Sequence, residues 1–246
     1  MLDALIKKRI MKKTIDVCLS PDLVHLYDFD GKIAVVVDVL RATSCMTTAL
    51  AHGVEGIVPV ETLEECEQLG KEGYLTAAER NGEKLEGFNF GNSPFSYMDE
   101  TLKRKSIAVT TTNGTRAIHL AKVRADEVVI GSFLNLKAVA NYVQNIDKDV
   151  IVVCAGWKGR VNLEDSMFAG ALVAELQSTY SLELDASKIA LSLYEAGKHD
   201  KLAFLSDCNH IKRLQKLNIQ KDIEFCLEEN VYNVVPILEG NRLILG

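Results

Sequence analysis

The stretch "IAVVVDVLRATS", residues 33–44, decides how this chain is read. A strand with one face in water alternates apolar and polar residues. A run that is apolar at every position suits a strand covered on both faces. Asp38 ends the run, and Arg41 follows just before a helical pattern. Charges in such a place are costly unless something nearby needs them.

Working outward, "DVIVVCA" at 149–155 has the same character. Short β-branched runs recur, and each predicts a strand: 14–19, 33–37, 57–60, 106–110, 127–130 and 149–154. Helical patterns fit between and after them, over 43–52, 63–72, 115–123, 134–144 and 163–178. This rhythm predicts an α/β fold, a three-layer α/β/α sandwich around a mostly parallel sheet. Beyond Asp185 the chain reads as a helical segment. It closes on "VVPILEGNRLIL", two apolar runs about Glu239-Gly240-Asn241 that predict a hairpin. Residues 1–13 read as an N-terminal extension, with Met1 or Met11 as the start. Residues 14–246 then form one domain, or two closely joined lobes at 14–145 and 146–246. Residues 79–100 carry glycines and a proline without periodicity and are expected as a long functional loop.

The 246 residues include 48% hydrophobic and 25% charged positions, ordinary for a soluble globular chain. A net charge of −6 argues against a broad nucleic-acid face and leaves room for a small anion held by a local cationic cluster. Six cysteines with no C-x-x-C pair read as reduced thiols in a cytoplasm. No apolar run is long enough to span a membrane. The apolar content of the C-terminal helices and hairpin suggests a homodimer surface.

If the strands run parallel, the segments that follow them share one edge of the sheet, where α/β folds bind ligands. Those segments are "DVLRATS" (38–44), "TTTNGTR" (110–116), "GSFLN" (131–135) and "CAGWKGRVNLED" (154–165), joined by "AERNG" (78–82) and "NFGNSP" (89–94). "TTTNGTR" reads either as an anion cradle, with Gly114 allowing close backbone approach and Arg116 a bidentate contact, or as a simple helix cap. The same choice applies to Thr43 and Ser44, and to Ser132 and Asn135. Arg41 either meets an anion or pairs with Asp38. Asp38, Glu79, Glu164 and Asp165 are the carboxylates that could hold Mg²⁺, although adjacent acids at a helix start also favour the helix dipole. "CAGWKGR" has the C-x₅-R spacing of cysteine-dependent phosphatases, but Val153 stands where a histidine is usual and no Ser or Thr follows Arg160. The five histidines show no metal spacing and read as surface or satisfied residues.

Taken in order, "VVVDVLRATS", "TAAERNGEKLEGFNFGNSP", "TTTNGTRAI", "GSFLN" and "VCAGWKGRVNLED" resemble the 2-phosphosulfolactate phosphatase family over residues 14–240. The resemblance implies Mg²⁺-dependent hydrolysis of (R)-2-phospho-3-sulfolactate to 3-sulfolactate, a step toward coenzyme M in organisms that make it. It carries functional status to Asp38, Arg41, Glu79, Arg80, Asn92, Thr112, Asn113, Gly114, Arg116, Ser132, Asn135, Glu164 and Asp165; Thr43, Ser44 and Thr115 join them as neighbours in the same loops. On chemistry, Asp38, Glu164 and Asp165 are expected to hold the metal. Glu79 is expected as the base for an attacking water, with Asp38 as nucleophile the alternative. Arg41, Arg80 and Arg116 would meet the substrate's acid groups, with Arg116 placed at the phosphoryl group. Two rivals stand beside this: a phosphatase for another small phosphorylated hydroxy acid, and a phosphometabolite binder without catalysis.

Overall fold

The computed structural model describes residues 12–246. Residues 1–11, which contain Met11 and most of the expected extension, lie outside the described residues. Eleven strands form one mixed sheet: β1 (Lys13–Cys18), β2 (Ile33–Val37), β3 (Gly56–Pro59), β4 (Leu75–Arg80), β5 (Glu83–Lys84), β6 (Ser106–Thr110), β7 (Glu127–Gly131), β8 (Val150–Cys154), β9 (Tyr180–Ser181), β10 (Pro236–Glu239) and β11 (Arg242–Leu245). Their order across the sheet is β5-β4-β6-β3-β11-β10-β7-β2-β8-β1-β9.

The consecutive apolar run that opened the reading is explained by two cores. Ile33, Val35 and Val37 enter one hydrophobic cluster, while Ala34 and Val36 enter another on the opposite face. In β8, Val150, Val152 and Cys154 face the first cluster, and Ile151 and Val153 the second. Successive side chains point to opposite sides of a strand, so a doubly covered strand must be apolar at both parities. Each fully buried valine contributes about 1.5–3 kcal/mol to folding.

The first cluster is closed by helices α4 (Leu136–Ile146), α5 (Leu163–Leu176) and α6 (Asp185–Gly197), together with α8 (Asn209–Gln215) and α9 (Gln220–Cys226), which follow the short α7 (Lys201–Leu205). On the second lie α1 (Ala42–Ala51) and α3 (Gly114–Lys122). A third, smaller cluster of Val58, Cys66, Ala78 and Ala108 sits under α2 (Leu63–Lys71), which Thr62 and Glu65 start with a capping box.

Two findings differ from the sequence reading. First, Leu75–Arg80 is a strand, paired parallel to β6, so Glu79 and Arg80 end a strand instead of opening a loop. Its sequence, "LTAAER", is rich in helix formers and has no β-branched run, which hides it from a propensity argument. Second, the C-terminal hairpin forms as expected, but in the middle of the sheet. β10 pairs antiparallel with β7, and β11 pairs antiparallel with β3. Three antiparallel junctions therefore separate β3 from β7, and the parallel blocks on either side run in opposite senses. A single edge shared by all strand ends is thus corrected. Twist of about 20–25° per strand accumulates over the steps from β4 to β2 and lets loops of both blocks face one another.

Candidate active site

The loops of the two blocks meet at Asp38, which directly follows β2 and is 7% exposed. Its backbone is fixed by Thr43, whose Oγ1 donates to the Asp38 carbonyl (2.9 Å) and accepts from the Asp38 amide (3.0 Å). Gly114, at the start of α3, packs against it: a Cβ there would lie 2.9 Å from Asp38 Oδ2 and 2.7 Å from the Ala42 Cβ. Burial pushes the Asp38 carboxyl up to about 7; His210 opposes the rise, and Glu79 and Glu164 add to it.

Asp38 borders a small cavity of about 20 Å³, room for a water molecule. Its other walls include Arg41, Glu79, Gly82, Asn92, Thr112, Asn113, Trp157, His210, Arg213 and Leu214. Seven expected site residues are therefore brought close together or border this space: Asp38, Arg41, Glu79, Asn92, Thr112, Asn113 and Gly114. Glu79 Oε1 accepts from the Gly82 amide, and Oε2 accepts from Thr112 Oγ1 at 3.4 Å.

Arg41 does not pair with Asp38. It forms a buried ion pair with Asp222 of α9 and donates from Nη2 to the Gly82 carbonyl at 2.7 Å. Ser93 Oγ donates to the other Asp222 oxygen at 2.9 Å. The opposed charges of Arg41 and Asp222 make the guanidinium tolerable in a buried position.

Glu164 and Asp165 start α5 and are both fully buried. Glu164 is hydrogen-bonded to His210 Nδ1. Asp165 accepts from the Val39 amide with Oδ1 (2.8 Å) and from the Gly156 amide with Oδ2 (2.9 Å). It thereby ties the loop after β2 to the loop after β8. Burial, then Asp38 and Glu164, push its carboxyl well above the usual range, while these two amides pull the other way.

The remaining cations occupy a different space. Neighbouring strand residues face opposite ways, so Glu79 borders the inner cavity while Arg80 borders an outer groove of about 530 Å³ with Thr111, Thr115, Arg116 and His119. Thr112 borders both. Arg80 donates to the Glu79 carbonyl (2.7 Å) and to Thr110 Oγ1 (3.2 Å), both neutral acceptors. Arg116, half-exposed, is paired with Asp22 at 2.6 Å.

Four expected binding residues are drawn away from both the cavity and the groove. Thr43 and Ser44 are fully buried and bond to the carbonyls of Asp38 and Val39. Ser132 and Asn135 form a capping box, and Asn135 Nδ2 donates to the Ile130 and Val234 carbonyls. They fasten the start of α4 and the chain leading to β10. Thr115 reaches the groove wall but spends its hydroxyl on Thr111.

"CAGWKGR" is not built as a phosphate loop. The Trp157 and Arg160 amides bond across a tight turn, Lys158 donates to Asn113 Oδ1, and Gly156 donates to Asp165. Cys154 is fully buried, and burial pushes its thiol well above its usual range, away from the thiolate that chemistry requires.

The sequence reading missed His210, Arg213, Trp157 and Asp222. His210, Arg213 and Asp222 lie in helical stretches without a motif, and Trp157 lies in "CAGWKGR", where only the cysteine and arginine drew the reading. The pairing of His210 with Glu164 joins residues 46 positions apart, and only the fold brings them together.

Among the described residues, no three or more His, Cys, Asp and Glu side chains gather in a way that could hold a metal ion by themselves. Mg²⁺ does not require such a cage, because it keeps waters and binds substrate phosphate beside one or two carboxylates. Asp38 fits that pattern: it is buried, faces the cavity and carries like-charged neighbours that a cation would relieve. Asp165, with both oxygens committed, and Glu164, held by His210, fit it less well than the sequence suggested. No helix among the described residues is long and apolar enough to cross a membrane.

Comparison with known proteins converges on one family. The family model described as 2-phosphosulpholactate phosphatase matches residues 18–241. A protein of Thermotoga maritima is 41% identical over 232 residues, 94% of this chain and 98% of that protein. Another from Caldanaerobacter subterraneus is 41% identical over 219 residues, covering 87% and 90% respectively. A third from Clostridium perfringens is 38% identical over 229 residues, 90% of this chain and 92% of its own length. All three are named probable 2-phosphosulfolactate phosphatase.

Proposed function

The chain belongs to the 2-phosphosulpholactate phosphatase family, and from that premise we propose that it hydrolyses (R)-2-phospho-3-sulfolactate at the cavity around Asp38, with Mg²⁺. The products are 3-sulfolactate and phosphate, a step toward coenzyme M where the host makes it. The observation that carries this reading is the meeting of two carboxylates, Asp38 and Glu79, with the "TTTNGTR" loop. That loop leaves the amides of Thr112 and Asn113 without a hydrogen-bond partner among the described residues. Free amides at a helix start favour an anion.

Asp38 would hold Mg²⁺, which draws charge from the phosphoryl oxygens and lowers their repulsion toward a nucleophile. Glu79, held in place by Gly82 and Thr112, accepts a proton from the attacking water. As the water oxygen bonds to phosphorus, the ester P–O bond breaks, and the leaving oxygen of the hydroxy acid takes up the proton that Glu79 received from the water. Thr112 and Asn113 amides donate to the phosphoryl oxygens. The outer groove, reached past Thr112, offers Arg80 and Arg116 to the acid groups that are not transferred.

Phosphate release from 2-phosphosulfolactate, measured with magnesium and then with EDTA, tests the reading. Turnover that depends on magnesium and exceeds that of 2-phospholactate by 10-fold or more, roughly 1.4 kcal/mol of discrimination, supports it. Equal turnover of the two esters moves the substrate to small phosphorylated hydroxy acids at large. Binding of either ester with no release would leave a phosphometabolite binder and sink the catalytic reading.

A further inference from the structure

The inner cavity has room for one water molecule, yet a phosphate ester needs several times that volume. Ligand sites commonly enclose about 300–1,000 Å³. Side chains on the cavity walls must therefore give way when substrate enters. Asp38, Glu79 and Thr112 are fixed at the ends of sheet strands. The facing wall is built by His210, Arg213 and Leu214 of α8; Leu214 is buried in the first hydrophobic cluster and His210 is held by Glu164, so the Arg213 side chain is the part of this wall that can shift. The same segment crowds Gly82, where a Cβ would lie 2.7 Å from Leu217 and 3.3 Å from Leu214.

Charge accounting picks out one residue on that wall. Of the two guanidiniums that border the cavity, Arg41 is neutralised by Asp222. Arg213 has no carboxylate partner among the described residues; it lies over the Trp157 ring, 5.3 Å from the centroid. Contacts of this kind are weak. They are easily exchanged for a phosphate, which a guanidinium binds in bidentate fashion.

We propose that Arg213, on the wall of α8 facing the cavity, is a catalytic residue, which leaves Trp157 to clamp the phosphoryl group when substrate enters. The proposal rests on the phosphate-ester reading of the site. Arg213 supplies the positive charge that Arg41 cannot, because Arg41 is already spent on Asp222. It does so at the oxygens where charge concentrates during transfer.

Trp157 is the single tryptophan of the chain, so its fluorescence reports directly on Arg213. The experiment titrates inorganic phosphate into wild type, Arg213→Ala and Arg213→Lys while following that fluorescence. It also measures phosphate release from 2-phosphosulfolactate by each. Wild type is expected to respond to phosphate, and Arg213→Ala to lose the response. Its kcat/KM should fall by about 100- to 1,000-fold, with partial recovery in millimolar guanidinium. Lysine should recover little, since it cannot present the fork. Unchanged fluorescence response with kcat/KM within about threefold of wild type would overturn the proposal. So would lost activity that guanidinium does not restore while the phosphate response persists, since that pattern assigns Arg213 to structure. If wild type releases nothing from phosphosulfolactate, the substrate reading fails. The phosphate titration then decides this proposal by itself: a response lost in Arg213→Ala upholds it, and one retained rejects it.

Discussion

Two loops in this molecule carry phosphate-like features in the sequence: "TTTNGTR" after β6, the stronger, and "CAGWKGR" after β8, with C-x₅-R spacing but no preceding histidine and no following Ser or Thr. In the fold they are opposites. The second has its amides at Gly156, Trp157, Lys158 and Arg160 all bonded within the protein. The first leaves Thr112 and Asn113 unspent and brings Gly114 against Asp38. A loop binds an anion with the donors that folding has not already used, and spacing alone does not reveal which those are. The same contrast separates the two acids beside them. Asp165 has given its oxygens to backbone amides, whereas Asp38 keeps its carboxylate toward the cavity.

The comparison breaks most visibly at Asp38. Asp38→Asn removes the carboxylate without changing its shape, and kcat/KM is expected to fall by at least about 1,000-fold; steady-state phosphate release checks it. Gly114→Ala comes next. The added Cβ would meet Asp38 Oδ2 and the Ala42 Cβ at under 3.0 Å, so the start of α3 must shift. Misplacement by an ångström costs about 100-fold in rate, which should show in kcat more than in thermal stability. Asp165→Asn should do the reverse. An amide oxygen can accept one backbone N–H, but its NH₂ would face the other donor, leaving a buried amide unpaired at about 1–3 kcal/mol. For a chain of this size the melting temperature should drop by several degrees, with activity per folded molecule close to wild type. A large loss of kcat with unchanged melting would place Asp165 in the chemistry and erase the contrast.

Asp38 also gives the comparison a pH signature in the protein free of metal and ligand. Its folded pKa is raised from 3.8 to about 7, so between these values the native state binds more proton than the unfolded chain. Stability contributed by the protonated group is full near pH 4, declines as pH rises through this window and levels off above about 7. The part assignable to Asp38 is about 1–3 kcal/mol, below the limit the whole shift would allow. Denaturant melts at pH 5 and 8 should show the decline in wild type and a weaker one in Asp38→Asn. The variant that loses activity should therefore be the more stable protein at pH 8. A steeper decline in the variant would contradict the assignment.

How far the sequence carried the reading follows from the same accounting. Doubly covered strands such as β2 and β8 were legible because burial on both faces forces apolar residues at every position. β4 was not, because "LTAAER" satisfies its burial with alanines. The hairpin was legible as a hairpin, yet its place between β3 and β7 depends on pairing that no local signal encodes. In the site, residues next to a strand end, Asp38, Thr112 and Asn113, announced themselves by type and position. Arg41 was found, but its partner Asp222 lies 181 residues away and on a helix without a motif. The histidines read as surface or satisfied residues, and the pairing with Glu164 that holds His210 on the cavity wall has no signal in the sequence.

The smallest effect is expected at Cys154, whose C-x₅-R spacing resembles a catalytic loop. Cys154 closes β8 and faces the hydrophobic cluster beneath α5, fully buried. A nucleophilic thiol needs a lowered pKa and access to substrate. Burial and the neighbouring acids Asp165 and Glu164 drive the Cys154 thiol in the opposite direction. Cys154→Ser should therefore leave kcat within about twofold of wild type, at a stability cost of about 1 kcal/mol for a hydroxyl in an apolar position. The comparison of the two loops makes this a strict test. If "CAGWKGR" were the reactive loop, serine would abolish turnover and EDTA would not. If its amides are spent as the hydrogen bonds show, phosphate has nowhere to sit beside residue 154, and only removing donors or charge around Asp38 can stop the reaction.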